Sequence, residues 1–504
     1  MRAAKRITRV CLWAILWGVG IGLLKLLVFL FHGFNFSPAY LIGSIASFFG
    51  NILWGILIGF LLFSKSRLIQ CFGYAVAFLI AVFYISCFHY ELFFGALPGA
   101  DLFYYLRELP HLLPSLKSNA PFGFLLFEVG YASILIFGGV FVVDRLGLKL
   151  QTSMPGFVFT AGILILSVCI PVFLHVFQSK FSNDAFYQGS RNPIFWLAHS
   201  SLISVSENHQ SFTPLQIWEY QKALGHRVPS GGKNPNYPLC SNLRSTGSSS
   251  FDKRSVILII LESVGNKEVF MEIDQKPLMP NLVKIAKNGL FFENISASGT
   301  KSNQVLPAIF SGIPPQTYNN ILWKKPLPKL DGLPALLREH GYQTAYFHGS
   351  DLSFEQQRSF LKMVGFEHLF DYDPKMEKKV SGWGYDDREM FSTLMNWITH
   401  SARPDDPYFA TLFTLSTHDP FLLPPDWETS FTQNRAKLRE NGTWIGVTPL
   451  KDRYDLYLES LHFLDHEIGK FYDWYLESEQ SKGTLLVILS DHVTSLHNEA
   501  ADID

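Results

Sequence analysis

The feature that most constrains this chain is where its apolar residues lie. Five apolar stretches, roughly 9–31, 39–63, 69–95, 122–143 and 155–177, each exceed the about 20 residues of helix that cross a hydrocarbon core. After about residue 180 such runs stop, and charge, Pro and Asn become common. The 48% hydrophobic and 17% charged content is therefore an average over two environments, one lipid-embedded and one globular, in a chain of 504 residues with room for two or three domains. The first stretch is too long for a signal-peptide core and lacks a small-residue cleavage pattern, so it is expected to stay as a span.

Lys and Arg orient the spans. Arg2, Lys5, Arg6 and Arg9 precede the first, Lys65 and Arg67 follow the second, and Arg145 and Lys149 follow the fourth. These positions share one side of the membrane, and the positive-inside rule makes that side cytoplasmic. The first connection, around Phe34 to Pro38, has neither residue type, and the third has only Arg107 and Lys117. Five crossings then place everything after residue 180 outside, in a multi-pass protein of the bacterial inner (cytoplasmic) membrane. The third connection, Asp101 to Ser118, has apolar residues at helical spacing, which suits either a helix on the membrane surface or one packed on the bundle. Lys25, His89 and Glu91 fall near span ends, where snorkelling explains polar residues and a lipid path is the sharper alternative.

A net charge of −1 with no long basic block leaves no electrostatic footprint for nucleic acid. Four of the five cysteines lie in apolar runs, so Cys240 stands alone in the polar half and builds no disulfide framework there. The expected division is a transmembrane domain over 1–180, an extracytoplasmic linker with a helical elbow over 181–250, and a catalytic domain over 251–504. The boundary falls in the Gly, Ser, Asn and Pro-rich stretch of 226–250.

Beyond Arg254 short apolar runs alternate with helical patterns. Residues 255–261 and 483–490 are continuous and rich in β-branched side chains, as in strands buried on both faces, and 342–347 and 408–415 are two more. Helical patterns at 281–288, 333–340, 388–400 and 453–477 lie between them. Such alternation predicts a mostly parallel sheet covered on both faces, with ligands bound beyond the carboxyl ends of its strands.

Those ends are polar. Glu262 follows the first strand, His348 to Asp351 another, Ser416-Thr-His418 a third, and Asp491-His492 the last. Any one of them is ordinarily a solvated loop carboxylate or a hydrogen-bonded core histidine. Four agreeing strand ends point instead to a divalent metal, which polarises phosphoryl oxygens and activates a hydroxyl. The hydroxyl expected is that of Thr300, where a loop meets the helical-looking Gln304 to Phe310; its bland reading is a helix cap.

Leu261-Glu262-Ser263, Gly299-Thr300-Lys301-Ser302 leading to Pro314, Thr417-His418-Asp-Pro-Phe421 and Ser490-Asp491-His492, behind five spans, resemble the lipoteichoic acid synthase branch of the alkaline phosphatase and sulfatase superfamily. The resemblance implies an α/β alkaline phosphatase/sulfatase-like domain carried by a five-helix transmembrane bundle. It implies that Glu262, Thr300, Asp491 and His492 bind one divalent ion, commonly Mn²⁺, with Mg²⁺ and Zn²⁺ as the other candidates. Thr300 would then attack the phosphate of a membrane phospholipid donor, typically phosphatidylglycerol, and pass phosphoglycerol to a glycan or lipid acceptor. His418, Arg358 and His348 would hold the substrate. Trp383 to Asp386 resembles a further segment near the site, with a helix N-cap as the plain role for Asp386. Phe354 to Arg358 matches the family's substrate pocket only loosely, and relatives usually continue past the point twelve residues after His492 where this sequence ends, so a C-terminally truncated domain is expected. Phosphoethanolamine transfer and a non-catalytic lipid-binding role are the alternatives, whereas sulfatase chemistry is set aside because Thr cannot be oxidised to formylglycine.

Overall fold

The computed structural model describes residues 2–31, 38–94, 97–99, 102–105, 108, 122–147, 191–207, 253–273, 275–315, 320–373, 383–403, 406–421, 423, 424, 426–428 and 450–494. The expected fifth span, residues 181–190 and 208–250 of the expected linker, most of the third connection and the sequence after 494 lie outside these residues.

Three long helices open the chain: α1 (Arg2–Phe31), α2 (Pro38–Leu62) and α3 (Arg67–Phe94). A single helical turn, α4 (Leu102–Tyr105), follows. Then α5 (Phe122–Ser133) runs through a π turn at Ile134–Gly138 into α6 (Gly139–Gly147). Four stretches within these helices are long and apolar enough to cross a membrane: Arg6–Leu30, Gly43–Leu62, Arg67–Glu91 and Leu125–Arg145. They coincide with the first four expected spans. Trp13, Trp17, Leu24, Tyr84 and Phe88 fill the space between them.

The polar residues of the bundle do not snorkel. Lys25 is buried, with its Nζ 2.8 Å from Glu91 Oε2 and facing the rings of Phe29, Tyr40 and Phe88. The Tyr40 hydroxyl donates to Glu91 Oε1 at 2.9 Å. His89 meets the buried Glu128 at 2.9 Å. A charge in a low-dielectric interior persists only when a counter-charge and hydrogen bonds replace its water, and the bundle supplies both. Asn192 performs a related task at the start of α7 (Pro193–Glu207): its Nδ2 donates to Asn51 at 2.8 Å, while its Oδ1 accepts from Tyr84 and from the Ile194 N–H. The helix that follows the spans is thereby tied to them.

The remainder is an α/β unit. Its sheet is made of β1 (Val256–Leu261), β2 (Gln343–His348), β3 (His368–Phe370), β4 (Tyr408–Phe413) and β5 (Leu485–Ser490). They lie in the order β3-β2-β4-β1-β5, all parallel. Successive side chains on a strand point to opposite faces. Accordingly Ile257, Ile259 and Leu261 join one core, with Phe391 and Leu464 among its helical members, while Leu258 and Ile260 join the other with Phe310 and Phe360. The continuous apolar runs thus reflect burial on two faces. Strand β3, with three residues, is too short to register as a pattern.

The expected helices are present as Pro280–Asn288, Ser302–Ser311, Leu333–Glu339, Asp387–Asn396 and Leu450–Glu477. Asp465, on the last of these, accepts from the N–H groups of Asn281 and Leu282 and so caps the first from a distance of 183 residues or more along the chain. Because strands β1, β4 and β5 are parallel neighbours, their carboxyl ends gather at one edge of the sheet.

Removing one partner of a buried ion pair strands the other. Glu91→Leu is expected to destabilise the detergent-solubilised protein by about 3–5 kcal/mol, read as a lowered thermal midpoint, and the Glu91→Leu/Lys25→Met pair to recover most of that loss.

Candidate active site

The β1–β5 register sets Leu261 opposite Ser490, so Glu262 and Asp491 emerge side by side. Glu262 is 2% exposed and Asp491 1% exposed. Two carboxylates at this separation repel each other, and several local bonds hold them in place. Ser263 adopts a left-handed backbone, φ 56°, an unusual state for a residue with a Cβ. In that conformation its N–H donates to Asp491 Oδ1 at 2.9 Å, while its hydroxyl donates to Glu262 Oε1 at 2.7 Å. The Tyr457 hydroxyl holds the Ser263 carbonyl at 2.7 Å, and the Glu262 N–H is held by Thr414 Oγ1 at 2.9 Å.

His492 completes the cluster. Its Nδ1 donates to the Val493 carbonyl at 2.9 Å, which directs Nε2 toward the carboxylates, 3.2 Å from Asp491 Oδ2 and 3.8 Å from Glu262 Oε1. One ligand atom from each of Glu262, Asp491 and His492 lies within 4.8 Å of the other two. Asp491 Oδ2 is buried and makes no hydrogen bond among the described residues. An imidazole oriented by a backbone carbonyl, with two buried carboxylates facing it, is a donor set suited to a divalent cation. The electrostatics agree. Burial, and then the Glu262 charge, push Asp491 up to about 7. Burial also opposes ionisation of Glu262, but His492, His418 and the Ser263 and Ser302 hydroxyls outweigh it and hold that group below its ordinary range. Burial lowers His492, and the two carboxylates more than reverse this. The site therefore calls for positive charge, and the residues fit a metal ion.

Of the hydroxyls around the start of the next helix, the structure brings a different one to the cluster from the one expected. Ser302 is the first residue of the helix Ser302–Ser311, and its Oγ donates to Glu262 Oε2 at 3.0 Å and lies 3.3 Å from His492 Nε2. Thr300 is exposed, and its N–H donates to Gln304 Oε1 at 3.2 Å. Lys301, extended at the N-cap position, separates the two. Ser302 stands where a helix leaves backbone N–H groups without intrahelical acceptors. The sequence carried a signal for it: a helix read from Ser302 instead of Gln304 would have put its hydroxyl, not that of Thr300, at the helix start.

The other expected residues divide. His348 is buried, with Nδ1 on the Phe413 carbonyl at 2.9 Å and its ring stacked on Phe413. Burial lowers its pKa, although the bond to the Phe413 carbonyl and the Glu262 charge partly offset this. His418 is half-buried, with Nδ1 on the Asp419 carbonyl at 2.7 Å and its ring edge-on to Trp383. Both histidines feel the Glu262 charge or act on it. Arg358 is instead ion-paired with Asp371, which also accepts from the Leu352 N–H. Asp386 is a helix N-cap, accepting from the Glu389 N–H at 3.1 Å. The neighbouring Asp387, absent from the sequence reading, is fully buried and holds the loop after β4, accepting from Leu415 N at 2.7 Å and Ser416 N at 3.0 Å.

Residues 254–503 match the family described as Sulfatase. Lipoteichoic acid synthase 2 of Bacillus subtilis is 24% identical over 255 residues, 49% of this chain and 37% of its own length. Phosphoglycerol transferase I of Xanthomonas campestris is 24% identical over 263 residues, 50% of this chain and 35% of its own. The chain thus spans little more than a third of the length of these curated relatives. The solved structure of an integral membrane protein, lipooligosaccharide phosphoethanolamine transferase A from Neisseria meningitidis, aligns over 98% of this chain and 84% of its own with a TM-score of 0.50. At 14% identity that likeness is one of fold.

Burial raises Asp387 to about 7 despite its two backbone N–H donors. A carboxyl whose folded pKa is raised favours folding most when protonated. Its contribution is therefore complete below its ordinary value of 3.8 and is lost as pH climbs through about 7. Asp387→Asn is expected to flatten the decline of stability across that window in a denaturant titration at stepped pH.

Proposed function

We propose, from the premise that this chain carries a sulfatase-family domain at residues 254–503 behind membrane-spanning helices and is similar there to lipoteichoic acid synthases and phosphoglycerol transferases, that it is a membrane-anchored phosphoglycerol transferase with Ser302 as nucleophile. One observation carries this reading: the Ser302 hydroxyl lies between Glu262 and His492 at a helix N-terminus, beside the unbonded Asp491 Oδ2. Thr300 was the expected nucleophile, and its exposed position two residues earlier gives it no comparable contact with the cluster.

Glu262, Asp491 and His492 would hold a divalent ion, Mn²⁺ being the ion that the resemblance favours, and when bound it would polarise a phosphoryl oxygen and lower the pKa of the neighbouring hydroxyl. Ser302 Oγ gives up its proton, which Glu262 Oε2 is placed to receive, and attacks the phosphorus of a phosphatidylglycerol donor. An Oγ–P bond forms and the bond from phosphorus to the diacylglycerol oxygen breaks. The leaving oxygen takes up the proton that Ser302 gave to Glu262, so diacylglycerol departs and phosphoglycerol stays on Ser302. A hydroxyl of a glycan, glycolipid or polymer then attacks the same phosphorus, the Oγ–P bond breaks, and the proton of that hydroxyl passes by way of Glu262 to the Ser302 oxygen. His418 and His348 face the phosphate, with the helix N-terminus adding its N–H groups to the charge. Arg358, bound to Asp371, steadies the loop ahead of the helix it belongs to rather than reaching for the glycerol. The spans hold the site on the extracytoplasmic side of the inner membrane.

A serine nucleophile removes the earlier ground for setting sulfate esters aside, because Ser, unlike Thr, is open to conversion to formylglycine. The mass of the Ser302 peptide decides the point: an unmodified residue keeps phosphoryl transfer.

Detergent-solubilised protein incubated with Mn²⁺ and fluorescent phosphatidylglycerol is expected to release labelled diacylglycerol. Phosphatidylethanolamine offered in parallel tests the ethanolamine alternative. Ser302→Ala should lose about a thousandfold or more in turnover, and Thr300→Ala less than about tenfold. Full turnover by Ser302→Ala, with loss in Thr300→Ala, returns the role to Thr300.

A further inference from the structure

The connection between the third and fourth spans holds two aromatic residues whose partners lie far along the chain. Tyr104 stacks on Trp323, with ring centroids 4.8 Å apart and planes at 20°, and Tyr105 meets the same indole edge-on at 5.6 Å. Tyr105 also lies under the Lys301 ammonium, which is 5.2 Å from the ring centroid. Lys301 is the residue immediately before Ser302, so one side chain of the membrane-side connection touches the flank of the proposed nucleophile.

The receiving surface is built for the contact. Trp323 ends a short turn, Ile321–Trp323, capped by the Asn320 side chain. Gln356 ties that turn to a second one through the Leu322 carbonyl. In the second turn Glu355 and Gln356 both hold left-handed backbones, φ 51° and 58°, a strained pair that presents the Glu355 carboxylate inward. Glu355 is buried and accepts from Asn303 Nδ2 at 2.6 Å. Burial pushes its pKa up to about 7, while Asn303, Lys301 and Tyr105 all favour its ionised form. Asn303 follows Ser302 directly. The residues on either side of the nucleophile, Lys301 and Asn303, are thus held by one cluster that includes a tyrosine from the segment between two spans.

Tyr and Trp favour the boundary between hydrocarbon and water, and α4 lies between a span that closes at Glu91 and one that opens at Leu125. A phospholipid carries its phosphodiester at that same depth. We infer that Tyr104 and Tyr105 are positioning residues that dock the α/β domain against the membrane helices through Trp323 and Lys301, so that Ser302 is held at the level of phospholipid headgroups. This rests on the lipid-donor reading above. Tyr104 and Tyr105 thus tie the α/β domain to the membrane-side connection, and set where the site sits relative to the bilayer.

The test uses the full chain in vesicles containing fluorescent phosphatidylglycerol, with bis(4-nitrophenyl) phosphate as a soluble diester. A Tyr104→Ala/Tyr105→Ala protein should lose about tenfold or more on the lipid yet stay within about twofold on the soluble diester, since misplacement relative to the bilayer affects only the former. Tyr104→Phe/Tyr105→Phe, which keeps the rings, should restore lipid turnover. Hydrogen exchange gives a readout independent of activity: the peptide covering 320–325, where Trp323 receives both tyrosines, should exchange faster in the Ala protein than in the wild type. Unchanged exchange there overturns the docking, as does an equal fall on both substrates. Wild-type protein that cleaves the soluble diester but not the lipid overturns the donor assignment instead, and the exchange result then decides the docking by itself.

Discussion

Two buried carboxylates, Glu262 and Asp491, stand side by side at the carboxyl edge of a parallel sheet, and much of the α/β unit serves to keep them there. Burial, and then the Glu262 charge, raise Asp491 to about 7, and the two carboxylates outweigh burial to hold His492 above its ordinary value. The left-handed Ser263, the Tyr457 hydroxyl and the Thr414 hydroxyl are the local means of holding that arrangement. Strain and buried charge concentrated at one point of a fold mark the place where binding of a cation and an anionic substrate would be most favourable.

The same logic runs through the membrane helices in another solvent. Lys25 with Glu91, and His89 with Glu128, are charges withdrawn from lipid by finding each other. In the α/β unit two carboxylates face one imidazole, whereas in the bundle each carboxylate has its own partner: Asp491 Oδ2 and Glu262 Oε1 lie 3.2 and 3.8 Å from His492 Nε2, while Glu91 meets Lys25 and Glu128 meets His89. The contact of Tyr104 and Tyr105 with Trp323 and Lys301 joins the two regions at the flank of Ser302.

Much of this was legible from residues alone. Hydropathy located the four described spans, since each reflects only the apolar character of its own window. The continuous β-branched runs located the four long strands; β2 and β4 are buried throughout and β1 nearly so, whereas β5, at the sheet edge, is only partly buried, unlike the two-faced burial expected of 483–490. Glu262, Asp491 and His492 were legible because a parallel α/β sheet gathers the residues after its strands at one edge. Strand β3 was not, because three residues give no period. Nor were Asp387 and Asp465, whose work is to accept backbone N–H groups from loops and helices distant in sequence.

The sequence by itself determined the two-environment architecture, the parallel sheet and the set of residue types able to hold a cation, all of which follow from local composition and period. Which of Thr300 and Ser302 brings its hydroxyl to Glu262 and His492 is visible only in the tertiary structure. They are two residues apart in one polar segment, and what separates them is the residue at which the helix begins and the direction in which its first hydroxyl points. It also decided that Lys25 is paired rather than snorkelling, and that Arg358 turns to Asp371. Each of these depends on a partner between 13 and 66 residues away, or on helix phase, and pairing across a fold is set by packing of the whole chain, which no window of residues contains.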